Sequence, residues 1–374
     1  MKNKYCSRTL KLIALIVPLV VVFVIFQEYL FAYKDYNTVR IENFYKEEEH
    51  SLDVVFMGAS EVFSDYSPTY AYEKFGYTSY MYAMDSNRGS LYLSQLKEIL
   101  KTQSPKVLFV EVGGFLVADD DVLFDDARLR IYVESIPLSE NKVRTIMEYP
   151  YEDKLSLFVP LFMHHGELET AWTHFKDAVK KVIYPRVPVS LKGETTVTNI
   201  YTGPGDVRVP DDPKTYGLTD NGKAFLMEFL DYCKSENLDN IVFVNFPRLI
   251  ADEDNNTVMV LLKQVDEILN TYDYPLLNLQ PEMERIGIDK NRDFYNEHHM
   301  NIYGQKKMTE YLGNLLLNEY GLTPRAQSAR SKQQWEACVP NYKEFVEMAD
   351  RAIQAGDDLL LSEANDIWIF RNMR

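Results

Sequence analysis

Asp53–Pro68 reads DVVFMGASEVFSDYSP: an apolar run, a Gly-x-Ser turn and a Ser-Pro helix start. Asp53–Met57 is a short β-branched and apolar run, the pattern of a strand buried on both faces. It stops at Gly58-Ala59-Ser60, and helix-compatible sequence resumes around Tyr66. A serine at the carboxyl end of a parallel strand stands where open α/β sheets bind their ligands. Gly58 keeps the approach to Ser60 free of a β-carbon, and the amides of the turn could face a developing oxyanion. Gly-x-Ser alone is a weak signal, because turns use both residues for conformational reasons.

The pattern repeats downstream. Ser67-Pro68 is an N-cap followed by proline at the first helical position, opening a helix to about Phe75. A strand is expected over 77–83, a polar turn at Met84–Gly89 and an amphipathic helix from Ser90 to about Thr102. KVLFVEV, 106–112, is the third strand and ends at Gly113-Gly114. Rhythm returns with a helix from an N-cap at Thr219 to about Glu236, the strand IVFVN to Asn245 and Phe246-Pro247. A helix over about 255–272, a short strand at 275–279 and a last amphipathic helix over about 303–320 follow. Strands alternating with helices give a parallel sheet with right-handed crossovers. The expected fold is therefore α/β: a three-layer, flavodoxin-like domain with a five-stranded parallel sheet.

The 374 residues suffice for one decorated domain or two. An apolar content of 46% excludes a disordered chain, and a net charge of −16 argues against nucleic acid as a partner. Cys6, Cys233 and Cys338 are too few for a disulfide framework; a Cys233–Cys338 bridge and two free thiols are the alternatives.

Lys2, Lys4, Arg8 and Lys11 precede the unbroken apolar run Leu12–Phe26, and Tyr29–Tyr33 follows as an aromatic flank. One N-terminal transmembrane helix is expected, with the basic end cytoplasmic and everything after residue 33 extracellular. A cleaved signal peptide is the competing reading, disfavoured because Leu30-Phe31-Ala32 is a poor small-x-small cleavage site. The expected organisation is an anchor over 1–33, a helical stalk over 34–50, the domain over 51–322 and a helical tail over 323–374. An insertion at about 115–216 interrupts the domain as a wall or lid for a cleft, with helices around Thr145–Phe162 and through Trp172 and His174.

The second informative stretch is Asp293–Gly304, DFYNEHHMNIYG, just before the last helix. A Gly-x-Ser turn after the first strand with an acidic residue and a histidine before the last helix resembles the SGNH (GDSL-type) hydrolase superfamily. The resemblance covers roughly 51–322. The anchor, the insertion with Pro-Leu-Phe-Met-His-His at 160–165, and Phe246-Pro247 resemble a membrane-anchored branch. That branch includes the D-alanine transfer protein of teichoic acid modification and partners of membrane-bound O-acyltransferases. The resemblance implies a serine nucleophile at Ser60 and a base at His299, with His298 as its neighbour. It further implies acyl transfer to, or removal from, a cell-surface polysaccharide or teichoic-acid-like polymer. An acetyl group is the first choice of acyl, and a membrane-bound O-acyltransferase is the implied partner.

Two departures bear on the chemistry. The position three before His299 is Asn296 where the superfamily has Asp; Asp293, six before, is the candidate third catalytic residue, able to orient the ring only if Phe294–His298 folds back. An asparagine can hold a tautomer, although it does not stabilise imidazolium as a carboxylate does. The superfamily's second and third glycine-containing blocks are not visible, so the oxyanion donors are expected at the Ser60 amide and at Ser86 or Asn87. His164 and His165 on the insertion, with Asn296 and His298, are cleft candidates. Paired histidines raise zinc, but no H-E-x-x-H or Asp/His ladder accompanies them, so neither metal nor cofactor is expected.

Overall fold

The computed structural model describes residues 2–29, 36–164, 192–195 and 197–356. Five strands, β1 (Val54–Gly58), β2 (Ser79–Ala83), β3 (Val107–Glu111), β4 (Ile241–Asn245) and β5 (Leu276–Asn278), form one sheet. Its order is β2-β1-β3-β4-β5 and every pairing is parallel. This is the flavodoxin-like order, with the change of direction beside β1. Each strand lies within a residue or two of its sequence expectation.

Every residue of β1, β2, β3 and β4 is buried. Alternate side chains serve opposite faces. Val55 and Met57 meet one cluster with residues of α5 (Gly89–Thr102), α11 (Asp220–Ser235) and α12 (Thr257–Thr271). Val54 and Phe56 meet the other, with residues of α3 (Ser60–Asp65), α4 (Pro68–Phe75) and α14 (Ile302–Asn318). There Phe56 stacks on Phe109 at 4.6 Å and packs on Tyr66 at 4.4 Å. Helices on both faces are why the strands read as continuous apolar runs.

Three segments differ from the sequence expectation. Helix begins at Ser60 itself rather than near Tyr66, so α3 carries the nucleophile candidate in its first turn. Residues 36–44, expected as a stalk, form α2 (Tyr36–Phe44) with Ile41 and Phe44 fully buried. Arg40 of α2 lies 3.7 Å over the Phe63 ring and donates to Gly193 O and Thr195 Oγ1. A surface alternation hid these contacts, since polar residues in 36–44 are buried by pairing rather than by hydropathy. The segment after 322, expected as a helical tail, is helical and is packed onto the domain: α15 (Ala329–Ala355) buries Trp335, Tyr342 and Phe345. Trp335 packs on Tyr72 of α4 at 4.9 Å and receives the Lys192 ammonium on its face.

Between β3 and β4 the chain forms α6 (Asp120–Leu123), α7 (Asp126–Ser135), α8 (Glu140–Glu148), α9 (Lys154–Phe158) and α10 (Leu161–His164), and the short α13 (Met283–Ile286) follows β5. The expected helix through Trp172 and His174 lies outside the described residues. Cys233 and Cys338 are buried thiols and are not bridged to each other. α1 spans Lys2–Tyr29, and its side chains, described for residues 8–23, are all exposed. Among the described residues no helix is long and apolar enough to cross a membrane.

The last helix is set by Asn301, which is fully buried. Its Oδ1 accepts from the amides of Tyr303 and Gly304, capping α14, while its Nδ2 reaches the carbonyls of Asn199, Arg292 and Phe294. Cap loss and orphaned buried carbonyls together cost about 3 kcal/mol, so Asn301→Ala is expected to destabilise by that amount in denaturant titration. A change under about 0.5 kcal/mol would contradict this packing role.

Candidate active site

The candidate site lies at the carboxyl ends of the strands. Gly58 ends β1 with φ +156°, and a β-carbon there would stand 2.5 Å from Glu111 Cβ and 2.8 Å from Val62 Cγ2. Only glycine lets the chain turn so close under β3 and present Ser60 in the first turn of α3.

The second half of the site comes from 293–301. Phe294 and Met300 pair in an antiparallel bridge, and Tyr295 N donates to His299 O at 3.0 Å. The stretch therefore folds back on itself with Asn296 near the tip. Gly304 permits the close return, since a β-carbon would sit 2.3 Å from Asp293 O. Asn296 Oδ1 accepts from the backbone amides of His298 at 2.8 Å and His299 at 2.9 Å. Two N–H donors fix that atom as oxygen rather than amide nitrogen. It also lies 3.0 Å from His299 Nδ1, so Nδ1 must carry the ring proton. Nε2 is then the bare nitrogen, and Ser60 Oγ donates to it at 2.7 Å. The tautomer follows from the turn.

Asp293 is placed elsewhere. Although the segment folds back, its buried Oδ2 accepts from Lys307 Nζ at 2.6 Å and from Asp289 N at 2.7 Å. It orients α14 and the approach to the turn, and Asn296 is the partner of the imidazole. Asn87 is likewise committed: its Nδ2 donates to Gly58 O at 2.9 Å and to Gln95 Oε1 at 2.8 Å. Both amide hydrogens are used to brace the turn below Ser60, which leaves none for an oxyanion. The Ser60 amide has no acceptor among the described residues, as expected of a helix's first N–H. Ser86 is exposed with φ 49°, and its amide too has no acceptor among the described residues. His298 is half-buried and crosses the His299 ring edge-on at 6.1 Å. His164 ends α10, and its side chain, like all of His165, lies outside the described residues.

Residues that sequence reading missed surround this pair. Glu61, beside Ser60, is 6% exposed and takes Arg248 Nη2 on Oε1 at 2.5 Å. Burial alone would raise its pKa, but Arg248 and then His299 hold the carboxyl below its usual range. Glu111, at the end of β3, accepts from the amides of Ala59 and Gly113. Burial and the Glu61 charge push it up to about 7. The Tyr295 ring stacks on His299 with centroids 5.3 Å apart. A glutamate inside an otherwise apolar strand was the one available signal for Glu111. Nothing local marks Arg248.

Burial, the largest cause, lowers the His299 pKa; His298 and Arg248 act the same way and Glu61 opposes them. The imidazole is thus neutral near pH 7, the form a general base needs. Because the shift is downward, the acid limb of a kcat/KM profile is expected below pH 6.5, with activity lost as pH falls through the lowered His299 pKa. A limb midpoint above 6.5 would contradict it.

Among the described residues no cluster of His, Cys, Asp or Glu could hold a metal ion. No protein-family model matches the chain, and no curated protein does. Among solved structures the chain is similar to a protein from Parabacteroides merdae described as a GDSL-like lipase. The two are 11% identical, the match covers 74% of this chain and 99% of the other, and the TM-score is 0.31. So loose a likeness adds no weight to the chemistry, which rests on the geometry of Ser60, His299 and Asn296.

Proposed function

We propose that the chain is a serine acyl-transfer enzyme of SGNH type, acting by an acyl-Ser60 intermediate. The observation that carries the reading is the contiguous chain Ser60 Oγ, His299 Nε2, His299 Nδ1, Asn296 Oδ1. His299 takes the Ser60 proton as Oγ bonds to the ester carbonyl carbon. The Ser60 amide donates to the oxyanion. As the tetrahedral adduct collapses, the carbon–oxygen bond to the leaving alcohol breaks and His299 returns the proton to that oxygen. Water or a hydroxyl then repeats the sequence in reverse to release the acyl group.

The acceptor in this proposal is a cell-surface polysaccharide or teichoic-acid-like polymer, and the group moved is acyl, with acetyl as first choice. A membrane-anchored, outward-facing enzyme suits such a polymer. Support for the anchor comes from α1, where large apolar residues from Leu10 to Phe23 stand exposed after a basic start. The rival reading, a weakly catalytic accessory of a membrane-bound O-acyltransferase, is favoured by the neutral Asn296 and the committed Asn87.

Incubating the full chain in detergent with an activated acetyl ester and a soluble polysaccharide separates these. Acetate release or acetylated polymer, absent with His299→Ala, supports the enzyme. Neither product from folded protein favours the accessory.

A further inference from the structure

When His299 accepts the Ser60 proton, the site gains a buried cation, and Asn296 brings no charge to meet it. Asp293 is occupied by Lys307. A carboxylate does adjoin the reacting pair: Glu61 Oε2 is 3.4 Å from Ser60 Oγ, and the side chain is buried in the first turn of α3. We propose that Glu61 is the counter-charge for the His299 imidazolium, and that its ion pair with Arg248 keeps it ionised and unable to act as a competing base. The inference rests on the serine mechanism above. It moves the charge of a triad from the far side of the ring to the residue following the nucleophile.

The other groups facing the pair do not substitute for it. Asp65 from α3 has its pKa raised, by burial first, and brings no charge while protonated; Glu111 from β3 spends its two oxygens on the amides of Ala59 and Gly113. His298 and Glu297 belong to the His299 turn, where Glu297 faces His298 at 3.6 Å. Tyr295 stays neutral, its hydroxyl pushed up to about 12 by burial. Arg248, from the loop after β4, is the opposing cation. The imidazolium forms and disappears in both acylation and deacylation, so one carboxylate beside Oγ serves both halves of a turnover.

The test titrates His299 directly, by nitrogen-detected NMR of histidine-labelled full chain in detergent, alongside turnover of an activated acetyl ester. Glu61→Gln should move the His299 midpoint to lower pH and reduce kcat by about 10²-fold, the scale of losing one preorganised charge contact. Glu61→Gln with Arg248→Met, which removes both charges together, should bring the midpoint back toward the starting value. Circular dichroism establishes folding, and the double variant avoids leaving either charge buried alone. An unmoved or raised midpoint in folded Glu61→Gln overturns the proposal, even if turnover falls. If wild type fails to turn over the ester, the serine reading fails, while the titration still decides the placement of charge.

Discussion

Replacing Ser60 by alanine is expected to lower kcat/KM for an activated acetyl ester by about 10⁴-fold or more, with the fold unchanged. The Oγ makes two contacts, with His299 Nε2 and Glu61 Oε2, and neither holds an element in place. Loss of stability should therefore stay near 0.5–1 kcal/mol in denaturant titration. His299→Ala should cost activity on the same scale. Because the two act as one unit, the double variant should be no slower than either single one. Additive losses would mean that Ser60 and His299 serve different steps, and retained turnover in Ser60→Ala would remove the nucleophile.

Asn296→Ala carries the next largest effect, a loss of about 10³–10⁴-fold in kcat. Three contacts vanish with Oδ1: the amides of His298 and His299, and the ring Nδ1. The ring is then free to place its proton on Nε2, which turns the base away from Ser60. Nitrogen chemical shifts of His299 report that tautomer directly. Wild type should show Nδ1 protonated and Nε2 bare, and Asn296→Ala should show a mixture. Asn296→Asp keeps the acceptor and adds a charge, so its acid limb should move to higher pH. An Asn296→Ala enzyme with full kcat would show that the turn, and not this side chain, orients the imidazole.

How far the sequence carried differs between scaffold and site. Apolar runs such as VVFM and IVFV, buried on both faces, made the strands and the parallel sheet legible. Ser67-Pro68 and Thr219 marked helix starts because capping is a local signal. Ser60 and His299 were legible as a pair. The expectation put Asp293 in the place that Asn296 holds, because both precede the histidine on a turn whose folding depends on Gly304 closing against Asp293 O. Asn87 looked like a free donor because its partner Gln95 comes from a different element, α5. Arg248 meets Glu61 across 187 residues of chain, which no periodicity encodes. The packing of α2 and α15 escaped for a related reason. Their apolar positions are few and interleaved with charges, and their burial depends on surfaces made by α4 and by the loop at 192–195.

Intact-protein mass measurement tests the central claim most directly. The full chain in detergent is mixed with an activated acetyl ester, quenched in acid within the first turnover and weighed, with Ser60→Ala beside it. An acetyl mass added to wild type, mapped to the peptide carrying Ser60 and missing from Ser60→Ala, is the predicted result. A folded wild type that gains no acetyl group while consuming the ester, or a Ser60→Ala chain that gains one at the same rate, would contradict it.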